Sequence, residues 1–144
     1  MALRFSTGAV NGLASTRGLK DLLQGGVIDL FTGGQPADAD YAETGSKLLR
    51  VSINSGTAGL TFGTAAAGTL PKSDGVWSGL VTLAGVPGWF RLYGTGGTAG
   101  SSNTEVRVDG NVGVSGSDLV LSNSSLVLSS TLTIDTFTLT VPRT

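Results

Sequence analysis

The sequence predicts an all-β domain, a β-sandwich or jelly-roll-like barrel with one short N-terminal helix. Three observations lead there. Glycine supplies 23 of the 144 residues, about twice its ~7% norm. Charged residues make up 13% of the chain, about half the usual ~25%, while apolar residues stay at 40%. A disordered chain has the opposite balance. Finally, about eight short runs rich in Val, Leu, Ile, Thr and aromatics recur between turn residues, as in sandwiches and small barrels. The length suits one domain, able to bury roughly 70% of the surface its unfolded chain exposes.

Residues 1–16 are weakly periodic and read as an extended arm, leaving 17–144 as a single β-rich domain. The helix is 17-RGLKDLLQGG-26, where Leu19, Leu22 and Leu23 fall at i, i+3, i+4 and Gly25-Gly26 stops it. At about two turns it needs packing to persist. In 27-VIDLFTG-33 both alternating faces carry apolar residues, the mark of a buried strand. A polar loop, 34-GQPADADYAETG-45, leads to the strand 47-KLLRVSIN-54, with Leu49, Val51 and Ile53 on one face. The short 58-AGLTFGTA-65 precedes a turn marked by Pro71 and Asp74-Gly75.

Two strands follow, 76-VWSGLVTLAG-85 and 88-GWFRLYG-94. In the second, Trp89, Arg91 and Tyr93 share one face and Phe90 and Leu92 the other. The stretch 94-GTGGTAGSSN-103 is a low-complexity loop. After it, 104-TEVRVDGNVGV-114 reads as a hairpin with a three-residue loop Asp109-Gly110-Asn111, pairing Val108 with Val112 and Val106 with Val114. In the tail, Leu119 and Leu121 share a phase, as do Leu126 and Leu128, with a turn at Asn123-Ser124. Leu132 and Ile134 share a phase that Phe137, Leu139 and Val141 reverse. A bulge at Asp135-Thr136 would restore one apolar face, and Pro142 would end the strand.

Composition narrows function. The net charge is -1 and the nine Lys and Arg are scattered, a poor footprint for nucleic acid, which is bound through phosphate neutralisation. No apolar run approaches the ~18 residues of a membrane span. The start, MALRFSTGAVNGLAS, has no apolar core of a signal peptide. Without histidine or cysteine there is no imidazole base, thiol nucleophile, disulfide or thiolate metal site. A weakly charged surface favours association.

The remaining chemistry is thin. Asp38, Asp40 and Glu43 stand at i, i+2, i+5, but the glycine and glutamate of a calcium loop are misplaced, so they read as a solvated loop. A glycosidase pair among Asp29, Asp74, Asp109 and Asp135 competes with ordinary turn and bulge roles. The glycine-rich 94-GTGGTAG-100 lacks the Lys-Ser/Thr and the helix of a phosphate loop. Trp77, Trp89 and Tyr93 suit a core or subunit interface, with a sugar-stacking platform as the alternative. No metal or cofactor is expected, and no enzymatic activity.

The segments MALRFSTG, GLKDLLQGGVIDLFTGGQPADADYAETGSKLLRVSI, GWFRLYG, RVDGNVGVSGSDLVLSNSSL and LTIDTFTLTVP cover nearly the whole chain. Together they resemble a group of small virion structural proteins of tailed bacteriophages. The resemblance implies a β-rich, non-enzymatic component of the particle, most like a capsid decoration or cement protein. Such proteins sit on the outer capsid surface, often as trimers, and clasp neighbouring subunits of the major capsid protein, commonly with an extended N-terminal arm. On this chain the arm would be residues 1–16, with Leu3, Arg4 and Phe5 as candidate partner contacts beside Trp89 and Tyr93. The same resemblance admits a tail, neck or baseplate component.

Overall fold

A computed structural model describes residues 3–15 and 17–141. Ten strands and two short helices follow one another as β1 (Arg4–Phe5), α1 (Thr7–Ala14), α2 (Leu19–Leu23), β2 (Val27–Thr32), β3 (Lys47–Ile53), β4 (Thr69–Pro71), β5 (Trp77–Leu80), β6 (Pro87–Tyr93), β7 (Arg107–Gly113), β8 (Leu119–Val120), β9 (Thr131–Ile134) and β10 (Thr138–Thr140). The main sheet runs β1-β7-β6-β2-β3-β5-β9, with β8 beside β7 and a separate β4–β10 pair. All pairings are antiparallel except β7–β8.

β3 makes the architecture sandwich-like. Its first part pairs with β2 and its last residues, Ser52 and Ile53, pair with β5. The β5–β9 wing and the β4–β10 pair thereby close over the inner face of β2, β6 and β7. One apolar cluster joins the two layers through Ile28, Leu30, Val51, Phe90, Trp77 and Phe137. Phe137 packs edge-on to Phe90 at 5.6 Å and lies 5.7 Å from Trp77, itself met edge-on by Phe62 at 5.2 Å. Such aromatic pairs contribute about 0.5–1.5 kcal/mol beyond area burial.

The predicted helix is present as α2, and Gly25, at φ +83°, takes the left-handed conformation that ends it. The arm expected over residues 1–16 is not extended in its described part. Phe5 pairs with Val108 across β1–β7, and Ser6 caps a second helix, α1. Buried Ser6 donates from Oγ to the Glu105 carbonyl (2.7 Å) and accepts from the N–H groups of Ala9 (3.1 Å) and Arg107 (2.9 Å). Two glycines lower the helix propensity of 7-TGAVNGLA-14, but a Cβ on Gly8 would stand 2.4 Å from the Thr104 carbonyl and one on Gly12 2.5 Å from Leu22. Close packing therefore outweighs propensity here. Met1, Ala2, Thr16 and Pro142, all part of sequence expectations above, lie outside the described residues.

The hairpin expected at Asp109-Gly110-Asn111 is replaced by one continuous strand, β7. Asp109 faces Arg91 and Gly110 faces Phe90 on β6. A Cβ at Gly110 would stand 2.6 Å from the Phe90 ring, so the glycine serves packing rather than a turn. The chain instead loops back over 114–118 and then runs parallel to β7 as β8, with Asn111 and Asp118 each accepting the other's N–H (2.9 and 3.1 Å). The phase slip at Asp135-Thr136 is real but is not a bulge. Residues 135–137 carry the chain from β9, paired with β5, to β10, paired with β4; Leu132, Ile134, Phe137 and Leu139 end up inside, while Val141 stays exposed.

Candidate functional site

The outer face of the main sheet carries an unusual row. Register aligns Arg4 on β1, Asp109 on β7, Arg91 on β6, Asp29 on β2 and Arg50 on β3, so charge alternates across five strands. Opposite charges directly across an antiparallel pair are stabilising. Asp109 receives Arg91 bidentately, from Nε at 2.7 Å and Nη2 at 2.8 Å. Asp29 receives Arg50 the same way at 2.7 and 2.9 Å, with Lys47 at 3.5 Å. Arg91 and Asp109 are fully buried, whereas Arg50 and Lys47 are about half exposed.

Two loops seal this row. Glu43 accepts from Arg91 Nη1 (2.7 Å), the Tyr93 hydroxyl (3.1 Å) and the Gly100 N–H (3.0 Å). The Tyr41 carbonyl takes a second bond from Arg91 (2.9 Å), and the Thr44 carbonyl one from Trp89 Nε1 (3.2 Å). Buried Arg107 binds the carbonyls of Ala39, Thr98 and Gly100. The glycine-rich stretch is thus a strap held to the sheet at Arg107 and Glu43. Flat contacts complete the layer: Phe31 stacks on Trp89 at 4.5 Å, Arg91 lies 5.4 Å over Trp89, and Arg107 lies 5.9 Å over Tyr93.

The electrostatics follow from this packing. Burial alone would raise the Glu43 carboxyl, but the Gly100 N–H and the Arg91 guanidinium hold it below its ordinary value. Burial pushes the Asp109 carboxyl up against the pull of Arg91. Burial also pushes the Tyr93 phenol up, with Asp29 and Glu43 adding to it. This layer is a structural one: its carboxylates are occupied by Arg91, Arg50 and Lys47, and Arg91 and Arg107 also hold loop carbonyls, although the buried Nε of Arg107 has no hydrogen-bond partner.

The sequence candidates fall out accordingly. Trp77, Trp89 and Tyr93 are at most 1% exposed, so the sugar-stacking platform is overturned and these rings belong to the interior. Leu3 and Phe5 are half-buried against the core, and half-buried Arg4 donates to the Pro36 carbonyl at 3.3 Å. Asp38, Asp40 and Glu43 do not converge. Asp38 accepts from the Asp40 N–H, Asp40 from the Thr7 N–H at the start of α1, and Glu43 joins Arg91. Among the described residues no three His, Cys, Asp or Glu side chains could hold a metal ion together. Of the four glycosidase candidates, Asp29 and Asp109 sit in the charged row, while Asp74 and Asp135 line one open cleft of about 350 Å³ beside Lys72. The Lys72 ammonium is taken by the Ser73 and Gly75 carbonyls.

No family model, curated protein or solved structure matches this chain.

A second surface escaped the sequence reading. Residues 80–86 run antiparallel to 126–131, joined by Val81 to Ser129 and Ser130 and by Gly85 to Leu126, at 2.9–3.2 Å. Their outward side chains Leu80, Leu83, Val86, Val127 and Leu128 are 46–64% exposed. β9 continues from this ribbon and forms the end of the main sheet. A cleft of about 410 Å³ lies alongside, lined by Leu126, Val127, Thr131, Leu132, Thr133 and Asp135 among others. Residues 76–90 and 119–134 contain no Asp, Glu, Lys or Arg. Sheet edges are ordinarily blunted by charge, proline or bulges; none of these occurs within β9. The available signal was the run of neutral residues, but only the pairing of 80–86 with 126–131 makes one patch of it.

Proposed function

We propose that the chain is a non-enzymatic structural component of a tailed-phage particle that decorates and stabilises the outer capsid surface. The observation that carries this reading is the uncharged ribbon of residues 80–86 and 126–134, a surface suited to joining copies of a component that repeats over a shell. Contiguous apolar surface beside an unblunted strand edge marks a protein interface. The resemblance across nearly the whole sequence supplies the setting: the major capsid protein as principal partner, the outside of the virion as location after synthesis in the host cytoplasm, and a homo-oligomer as the form. The charged layer supports a structural role, since Glu43, Arg91 and Arg107 are engaged in holding loops to the sheet.

Stabilisation would follow from mass action. A protein that binds the assembled shell and not its dissociated subunits lowers the free energy of the shell, and many copies reinforce one another by avidity. The clasp is not a free N-terminal arm, because the described residues 3–15 form β1 and α1 against the sheet.

Quantitative mass spectrometry of purified particles of the encoding phage tests the reading. A stoichiometry near one copy per capsid subunit is the expected result. A few copies per hundred subunits would transfer the protein to the tail, neck or baseplate. Absence from the particle would refute the virion role altogether.

A further inference from the structure

We infer that the ribbon of residues 80–86 and 126–134 docks on the same surface of a second copy of this chain across a two-fold axis. The inference rests on the reading of this surface as an interface and names its occupant.

Charge is the first reason. In a two-fold contact the same patch supplies both sides, so any concentrated charge meets its own sign. Here the two segments carry no charged side chain, and the single charge on the cleft beside them, Asp135, lies just past the end of β9, so self-docking meets no concentrated charge of its own sign. An interface for a different partner gains encounter rate and selectivity from complementary charge, which this surface cannot provide.

Area is the second. Leu80, Leu83, Val86, Val127 and Leu128 stand about half exposed on two adjoining segments. With the edge of β9 and the wall of the neighbouring cleft, each copy offers on the order of 500 Å², and two copies about 1,000 Å², where specific interfaces begin.

The edge itself is the third. β9 directs Leu132 and Ile134 inward and Thr131 and Thr133 outward. An antiparallel pair of β9 strands around a two-fold axis would satisfy their free backbone groups and extend the sheet from one copy into the next. Dimers, or even-numbered assemblies built from them, follow from this geometry rather than a three-fold ring.

The test is sedimentation of the full chain from about 1 μM to about 100 μM, the range in which a micromolar dimer becomes populated. The wild type is expected to pass from monomer to dimer. Leu83→Glu with Leu128→Glu places like charges across the axis and is expected to raise the dimer Kd more than tenfold, with an unchanged far-UV spectrum because both side chains stand in water. Mixing this variant with Leu83→Lys/Leu128→Lys is expected to restore the dimer. Val127→Glu and Val127→Lys provide an equivalent pair if either double variant misfolds. A wild type monomeric throughout, an acidic variant that dimerises like wild type, or failure of the mixture to associate would each overturn the inference. Particle stoichiometry is read separately: an abundant virion component that is monomeric ends this inference alone, and a dimer absent from virions ends the decoration reading alone.

Discussion

Replacing Asp109 with alanine should destabilise the fold far more than replacing Asp29, although both carboxylates occupy the same row and both hold an arginine bidentately. Asp109→Ala removes the acceptor of two charge-assisted bonds from a guanidinium that water cannot reach. Breaking a buried pair typically costs about 3–5 kcal/mol. Arg91 retains Glu43 at 2.7 Å and the Tyr41 carbonyl at 2.9 Å, which places the expected loss near the lower end, about 3 kcal/mol. Asp29→Ala strips Arg50 and Lys47, which are about half exposed and rehydrate, for an expected loss of about 1 kcal/mol. Against a total stability of roughly 5–15 kcal/mol, the first substitution is a large fraction. Urea unfolding followed by far-UV circular dichroism measures both, with an unchanged m-value confirming that the native state is comparable. Arg91→Met combined with Asp109→Leu should recover part of the loss, since neutral replacement of both partners leaves no stranded charge. A cost for Asp109→Ala no greater than that for Asp29→Ala would refute the assignment of the row's burial.

Ser6→Ala should lower stability by about 2–3 kcal/mol, through loss of the α1 cap and an unsatisfied Arg107 N–H; an unchanged melting temperature would show that the N-terminal segment does not pack as described. Glu43 sets part of the acid sensitivity. Its folded carboxyl lies below the ordinary 4.5, so its contribution is present above that value and is lost as pH falls through the depressed folded one. Asp109, pushed upward chiefly by burial and in smaller part by Glu43, acts in the opposite sense, and the burial part is common to wild type and Glu43→Gln. The stability advantage of wild type should shrink below about pH 4.5; an advantage constant with pH would contradict the Glu43 contacts.

Several elements were legible because one local rule decided them. β2 is apolar on both alternating faces and is covered on both. β6 divides as its alternation requires, with Phe90 and Leu92 in the core and Trp89, Arg91 and Tyr93 in the charged layer. Gly25-Gly26 ends α2. The reversed phase of Leu132–Ile134 and Phe137–Leu139 was visible, but period-2 alternation does not distinguish a bulge from a crossing between sheets. α1 was not legible, because its glycines are poor helix formers that persist through contact with 104–105 and Leu22. Asp109-Gly110 was misleading for a related reason: as a dipeptide it suits a turn, and only the neighbouring strand turns it into an ion pair and a seat for a phenyl ring.

By itself the sequence determined the β class, the alternation within each strand, the α2 stop and the poverty of reactive groups, all properties of composition or of residues a few positions apart. Tertiary structure decided which strands are neighbours, and therefore everything that depends on partners distant in the chain. Arg91 finds Asp109 and Glu43, Asp29 finds Arg50, and residues 80–86 find 126–131 only once the sheet order exists. A charge or an exposed leucine acquires its energetic meaning from what lies opposite it, and alternation along a strand carries no information about which strand that will be.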